Sequence, residues 1–150
     1  MGKLFARISE DMKAALKAGD KERLQVLRML VSAIKTQQID KQKDDLDDAE
    51  EQAILAKAVK SRRETVAQAE AAGRTDVATR ERTEIAVIEA YLPKQMSPEE
   101  LAEKVRALAA EIGYAGAADR GRFMKEWMAR YRGLAEGRDV QAELDRLGAG

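Results

Sequence analysis

The sequence predicts an all-α fold, and three observations carry the prediction. Apolar residues recur at three- and four-residue spacing along most of the chain, and no segment alternates in the manner of a strand. Hydrophobic residues make up 45% of the 150 residues but aromatics only 4%, so the core must come from Ala, Leu, Ile, Val and Met, as in packed helices. The two prolines, Pro93 and Pro98, fall in one short segment and leave helix-compatible sequence on both sides. The predicted layout is a four-helix subdomain over residues 1–92, a hinge over 93–97 and a three-helix subdomain over 98–150. The smaller bundle is too small to be very stable without contacts to the larger.

The first helix is expected over residues 4–18, where Leu4, Ile8, Met12, Ala15 and Leu16 share a face and Gly19 ends the run. Asp20 is a good N-cap for the second helix. There Leu24, Leu27, Val31 and Ile34 form a stripe that Val26, Met29, Leu30 and Ala33 broaden, so this helix is expected to be central. Residues 40–48 are acidic and nearly free of large apolar side chains, which reads as a solvated connection. Asp47 and Glu50 resemble a capping pair, and the helical pattern continues through Ile54, Leu55, Ala58, Val59, Val66 and Ala69 to Gly73. Thr75 is expected to cap a fourth helix carrying Val77, Ile85, Ile88 and Leu92, which Pro93 stops.

The second block opens on the clearest local signal in the chain, Ser97-Pro98-Glu99-Glu100: a cap, a proline at the first helical position and a glutamate at the third. Leu101, Val105, Leu108 and Ile112 make the stripe of that helix, which Gly113 ends. After a small-residue loop, a helix over 119–131 is expected to bury Phe123 and Trp127 together with Met124 and Met128. Gly133 and Gly137 frame a turn, and a last helix over 138–147 docks through Val140, Leu144 and Leu147.

Composition removes much chemistry. There is no cysteine, so disulfides, thiolate catalysis and cysteine metal sites are excluded. There is no histidine either, which removes the commonest general base near neutral pH and the commonest transition-metal ligand. None of Ser9, Ser32, Ser61 and Ser97 stands in a strand-to-helix elbow, and no phosphate-cradling glycine loop occurs. Glu81 and Glu84 lie one turn apart, yet solvated helix surface or ion pairs with Arg80 and Arg82 explain them better than cation binding or proton exchange, and the acidic run 44–51 reads in the same way. No catalytic residue, metal or cofactor is therefore expected. No apolar run approaches the ~18 residues that span a bilayer, and the charged N-terminal stretch is unlike a signal peptide, so no membrane association and a cytoplasmic location are expected.

With 27 residues of each charge sign, the formal net charge is zero, so any polyanion must be held by a local patch. Arg62, Arg63 and Arg74 gather around the third helix and its end. Between Tyr114 and Arg138, six cations, Arg120, Arg122, Lys125, Arg130, Arg132 and Arg138, face three carboxylates. Arginine binds phosphate through a planar, bidentate fork. Arg62, Arg63, Arg74, Arg122, Lys125, Arg130 and Arg132 are thus the candidate RNA-binding residues.

A family resemblance extends nearly end to end. It rests on residues 11–18 with Asp20 and Lys21; on Leu24, Leu27 and Arg28; and on Arg62-Arg63-Glu64 leading to Ala72-Gly73-Arg74-Thr75-Asp76. It rests further on Tyr91-Leu92-Pro93-Lys94-Gln95-Met96-Ser97, on Gly121-Arg122-Phe123-Met124 and on the turn at 133–137. In these the chain resembles stand-alone YqeY proteins of the GatB/YqeY family, departing from the usual pattern at Ala129, where proline is common, and at Glu136, where aspartate is. The resemblance implies a four-helix and a three-helix subdomain similar to the tail of GatB, a subunit of the glutamine-dependent tRNA amidotransferase, where the tail holds tRNA and the chemistry is done elsewhere. It implies a non-catalytic module that binds tRNA or other RNA. The alternatives it leaves open are an accessory subunit in glutamine-dependent amide transfer, a carbon–nitrogen ligase activity exercised with an amidotransferase partner, and an adaptor for another protein.

Overall fold

A computed structural model of the chain describes residues 2–149. Among them are seven α-helices and no strand: α1 (Lys3–Ala18), α2 (Lys21–Asp40), α3 (Asp48–Ala71), α4 (Thr75–Glu89), α5 (Pro98–Ile112), α6 (Arg120–Tyr131) and α7 (Gly137–Ala149), with a single 3-10 turn at Ala117–Asp119 before α6. The chain divides into two compact units, Met1–Leu92 and Pro93–Gly150, each with its own apolar core.

In the first unit, α1 and α2 form one helical hairpin and α3 and α4 another. Gly19 takes the left-handed conformation at the end of α1, with φ of 72°, where its N–H and that of Asp20 close onto the last carbonyls. The Asp20 side chain then accepts from Arg23 N–H and starts α2. The core is filled by Ile8, Leu27, Leu30, Ile34, Leu55 and Ile88, each at most 1% exposed. Each such side chain contributes about 1.5–3 kcal/mol relative to exposure. Leu24, Val26, Leu27, Leu30, Val31 and Ile34 of α2 are all buried, which makes it the central helix. Met29 and Ala33 do not join them. At about 100° per residue both fall on the side away from Leu27 and Ile34. Leu16, at the edge of the α1 stripe, is exposed too.

Three local expectations are corrected. Thr75 is the first residue of α4 rather than its cap; Arg74 occupies the capping position without a side-chain hydrogen bond. The connection after α2 is not wholly solvated, because Leu46 is buried in the core. The α4 helix ends at Glu89, and Tyr91 and Leu92 close it in tight turns as the chain approaches Pro93, which disfavours helical geometry in the residue before it.

Tyr91 fastens that end of the unit. It is buried among the core residues, its hydroxyl donates to Asp11 at 2.5 Å, and the Arg7 guanidinium lies 4.8 Å from its ring centroid. Burial, and then the hydrogen bond to Asp11, push its pKa up from an ordinary value of 10.0 to about 12. A neutral acid whose pKa is higher in the folded state stabilises the fold fully below the unfolded value and loses that contribution as pH rises. The wild-type chain is therefore expected to lose roughly 1–2 kcal/mol between about pH 10 and 12 relative to Tyr91→Phe. Urea titrations of both proteins across that range check this, and parallel pH profiles would contradict it.

The second unit is organised on α5, which packs against both α6 and α7. Ser97 Oγ accepts from Glu100 N–H at 3.1 Å, Pro98 sits at the first helical position, and Gly113 ends the helix with φ of 72°. Phe123 and Trp127 of α6 are buried with Val105, Leu108, Val140 and Leu144, whereas Met128, a further 100° or so round the helix from Trp127, is exposed. Phe123 and Trp127 stack at 6.0 Å, with Tyr114 edge-on to Phe123 at 5.9 Å and Tyr131 tilted on Trp127 at 4.6 Å. Met96 N–H donates to the Leu134 carbonyl and Gln95 Nε2 to that of Gly133, so residues 95 and 96 of the expected hinge are fastened to the second unit.

Candidate nucleic-acid interface

The seven candidate cations meet very different fates. Arg62, on α3, is half-buried: its Nε donates to Glu84 at 3.0 Å, one terminal nitrogen to the Ala58 carbonyl and the other to Met29 Sδ. It joins α3 to α4 and α2, which withdraws it from solvent. Arg63 pairs with Glu89 at 3.3 Å. With Arg82–Glu70, these ion pairs run along the α3–α4 hairpin. The Glu81–Glu84 pair is thereby split, because Glu84 answers Arg62; among the described residues no three potential ligands converge on a metal site.

Two more candidates stitch the second unit. Arg122 donates to the Ile112 carbonyl at 2.9 Å, covering the end of α5, and approaches Asp119. Arg130 forks both oxygens of Glu111 at 2.7 and 2.8 Å, joining α6 to α5. That contact holds the Glu111 carboxyl below its ordinary range and raises the Arg130 pKa.

Arg74, Lys125 and Arg132 remain. All three are exposed, and none has a hydrogen bond or ion pair from its side chain among the described residues. Arg74 stands at the α3–α4 turn of the first unit. Lys125 lies on the side of α6 turned away from Phe123 and Trp127, and Arg132 directly follows α6. Four of seven cations are thus held in protein contacts and three are available to a ligand, one in the first unit and two in the second.

Sequence reasoning missed the most deeply buried charge. Glu51 belongs to the run expected to be solvated, yet it is 0% exposed. Its carboxylate accepts from Phe5 N–H at 2.8 Å and from Leu4 N–H at 3.4 Å, so α3 supplies the cap that Gly2 cannot give α1. A buried carboxylate often marks an active site, but here both oxygens hold helix N–H groups. Its signal was its register: Glu51 precedes Leu55 and Val59 by four and eight residues, on the buried stripe of α3.

Taken together, the fold and these contacts define an all-α protein of two helical units, with its free cations on helix surfaces and turns. It belongs to the YqeY-like protein family, whose sequence profile matches residues 5–147. The chain is 32% identical over 109 residues to Altered inheritance of mitochondria protein 41, mitochondrial, of Lachancea thermotolerans, covering 71% of this chain and 58% of that protein. The proteins of the same name from Eremothecium gossypii and Kluyveromyces lactis are 32% and 31% identical, over 72% and 58% of this chain and 60% and 47% of their own lengths. The chain therefore spans about half to three fifths of these curated relatives. All three are named as mitochondrial proteins, which overturns the expectation of a cytoplasmic location. No helix among the described residues is long and apolar enough to cross a membrane.

Proposed function

We propose that the chain is a non-catalytic RNA-binding module that holds tRNA or a similar folded RNA through its phosphates. The observation that carries this reading is the pair of unengaged cations on and just after α6, Lys125 and Arg132, in a stretch whose other candidates, Arg122 and Arg130, are held by protein partners. Arg74 is the free candidate of the first unit and stands by itself. With so few free cations the binding is electrostatic, weak and indifferent to base sequence, because phosphate contacts position a nucleic acid without reading it. Filter binding of total tRNA at low salt tests it. The Lys125→Ala/Arg132→Ala double variant is expected to bind about tenfold more weakly with its circular dichroism unchanged, since neither side chain holds a protein partner. Equal binding by both proteins would refute this placement of the interface.

A further inference from the structure

The second unit contains a cleft of about 470 Å³ between α5, the loop at 113–117 and α7. Two guanidiniums, Arg106 and Arg120, line it against a single carboxylate, Asp145. Arg106 is exposed and has no partner among the described residues. Arg120 gives one terminal nitrogen to Asp145 and also meets the Tyr114 side chain, while about a third of its side chain stays exposed. Two guanidiniums against one carboxylate leave the lining with a net positive charge, which favours an oxyanion. The rest of the wall is largely apolar, with Ala110, Ala117, Gly116, Leu144 and Leu147 in it, and the Tyr114 ring braced edge-on against Phe123. A cleft of this volume exceeds what a bare phosphate fills and has room for a phosphate carrying an organic group the size of a nucleoside. The larger cleft, about 640 Å³ between α2 and α4 in the first unit, offers no such excess of cations: Arg23 and Arg80 stand among Asp20, Glu22 and Asp76, and Glu84 is paired with Arg62.

We propose that the α5–α7 cleft binds a nucleoside monophosphate unit, with the phosphate between Arg106 and Arg120 and the base along the alanine and glycine wall. The unit comes either from a free nucleotide or from the phosphorylated end of an RNA strand. The site is separate from the surface assigned above, since neither guanidinium is among the seven candidate residues. Amide shifts of the isotopically labelled full chain test it, with adenosine monophosphate, adenosine, inorganic phosphate and a short 5′-phosphorylated RNA as probes. Saturable shifts at Gly113, Ala115, Gly116 and Ala117 are expected with adenosine monophosphate, at least about tenfold tighter than with adenosine or phosphate alone. Arg106→Gln is expected to weaken binding about tenfold while leaving the remaining spectrum in place. Tighter binding of the RNA than of the mononucleotide would assign the strand end as the source; the reverse would assign the free nucleotide. No saturable shift at these residues up to ~10 mM of either, or identical titrations of wild type and Arg106→Gln, would overturn the proposal. Loss of tRNA binding in the Lys125→Ala/Arg132→Ala variant with these titrations unchanged would separate the two sites.

Discussion

Replacing Trp127 with alanine is expected to unfold the second unit and leave the first folded. Trp127 is 1% exposed and touches both neighbouring rings of the aromatic row, Phe123 and Tyr131. Truncating a buried tryptophan removes about 3–5 kcal/mol. At ordinary stability per residue a unit of this size holds about 3–9 kcal/mol in total, so the loss consumes much or all of it. The two apolar cores are separate, so the first unit is not expected to follow. Circular dichroism should fall by the share of helix in α5, α6 and α7, and thermal unfolding should keep the transition of the first unit. Trp127→Phe, which leaves an aromatic in place, should retain the helices at a lower midpoint. Full helicity with an unchanged midpoint in Trp127→Ala would show that the aromatic row does not hold this unit.

The second large effect is expected at Glu51. Alanine there orphans the N–H groups of Leu4 and Phe5, leaves a cavity and removes the negative charge facing the start of α1. The expected loss is about 2–4 kcal/mol for the first unit. Glu51→Gln keeps an acceptor and should lose less. Gly2→Ala gives an independent check, because a Cβ on Gly2 would stand 2.5 Å from the Glu51 carboxylate and displace it. Urea unfolding with both alanine variants as stable as wild type would mean that the buried carboxylate does not cap α1.

Much of the fold was legible because its determinants are local. Gly19, Asp20, Asp47, Ser97 and Gly113 act on residues within a turn or so, and each does what its type and place predict. The stripes of α2 and α5 were legible because periodicity reports which face is buried. Charged residues outside the caps were less legible, because the partners that decide their role lie far along the chain. Arg62 reads as a phosphate ligand until Glu84, 22 residues away, is folded against it, and Arg130 until Glu111, 19 residues away, answers it. Glu51 reads as solvated until it meets α1, 46 and 47 residues distant. The three cations that remain as candidates are those for which no such partner arrives. An arginine's sequence neighbourhood gives its charge density; only the packing of helices decides whether that charge is available.

The salt dependence of tRNA binding tests the proposed function most directly. Each phosphate neutralised releases counterions and contributes about −0.9 to the slope of log K against log salt on a duplex. Lys125 and Arg132 together predict a slope of about −1.4 to −1.8, with affinity measurable at low ionic strength and lost near physiological salt. Absence of binding at low salt, or binding that does not change across the series, would contradict an RNA module held by phosphate contacts.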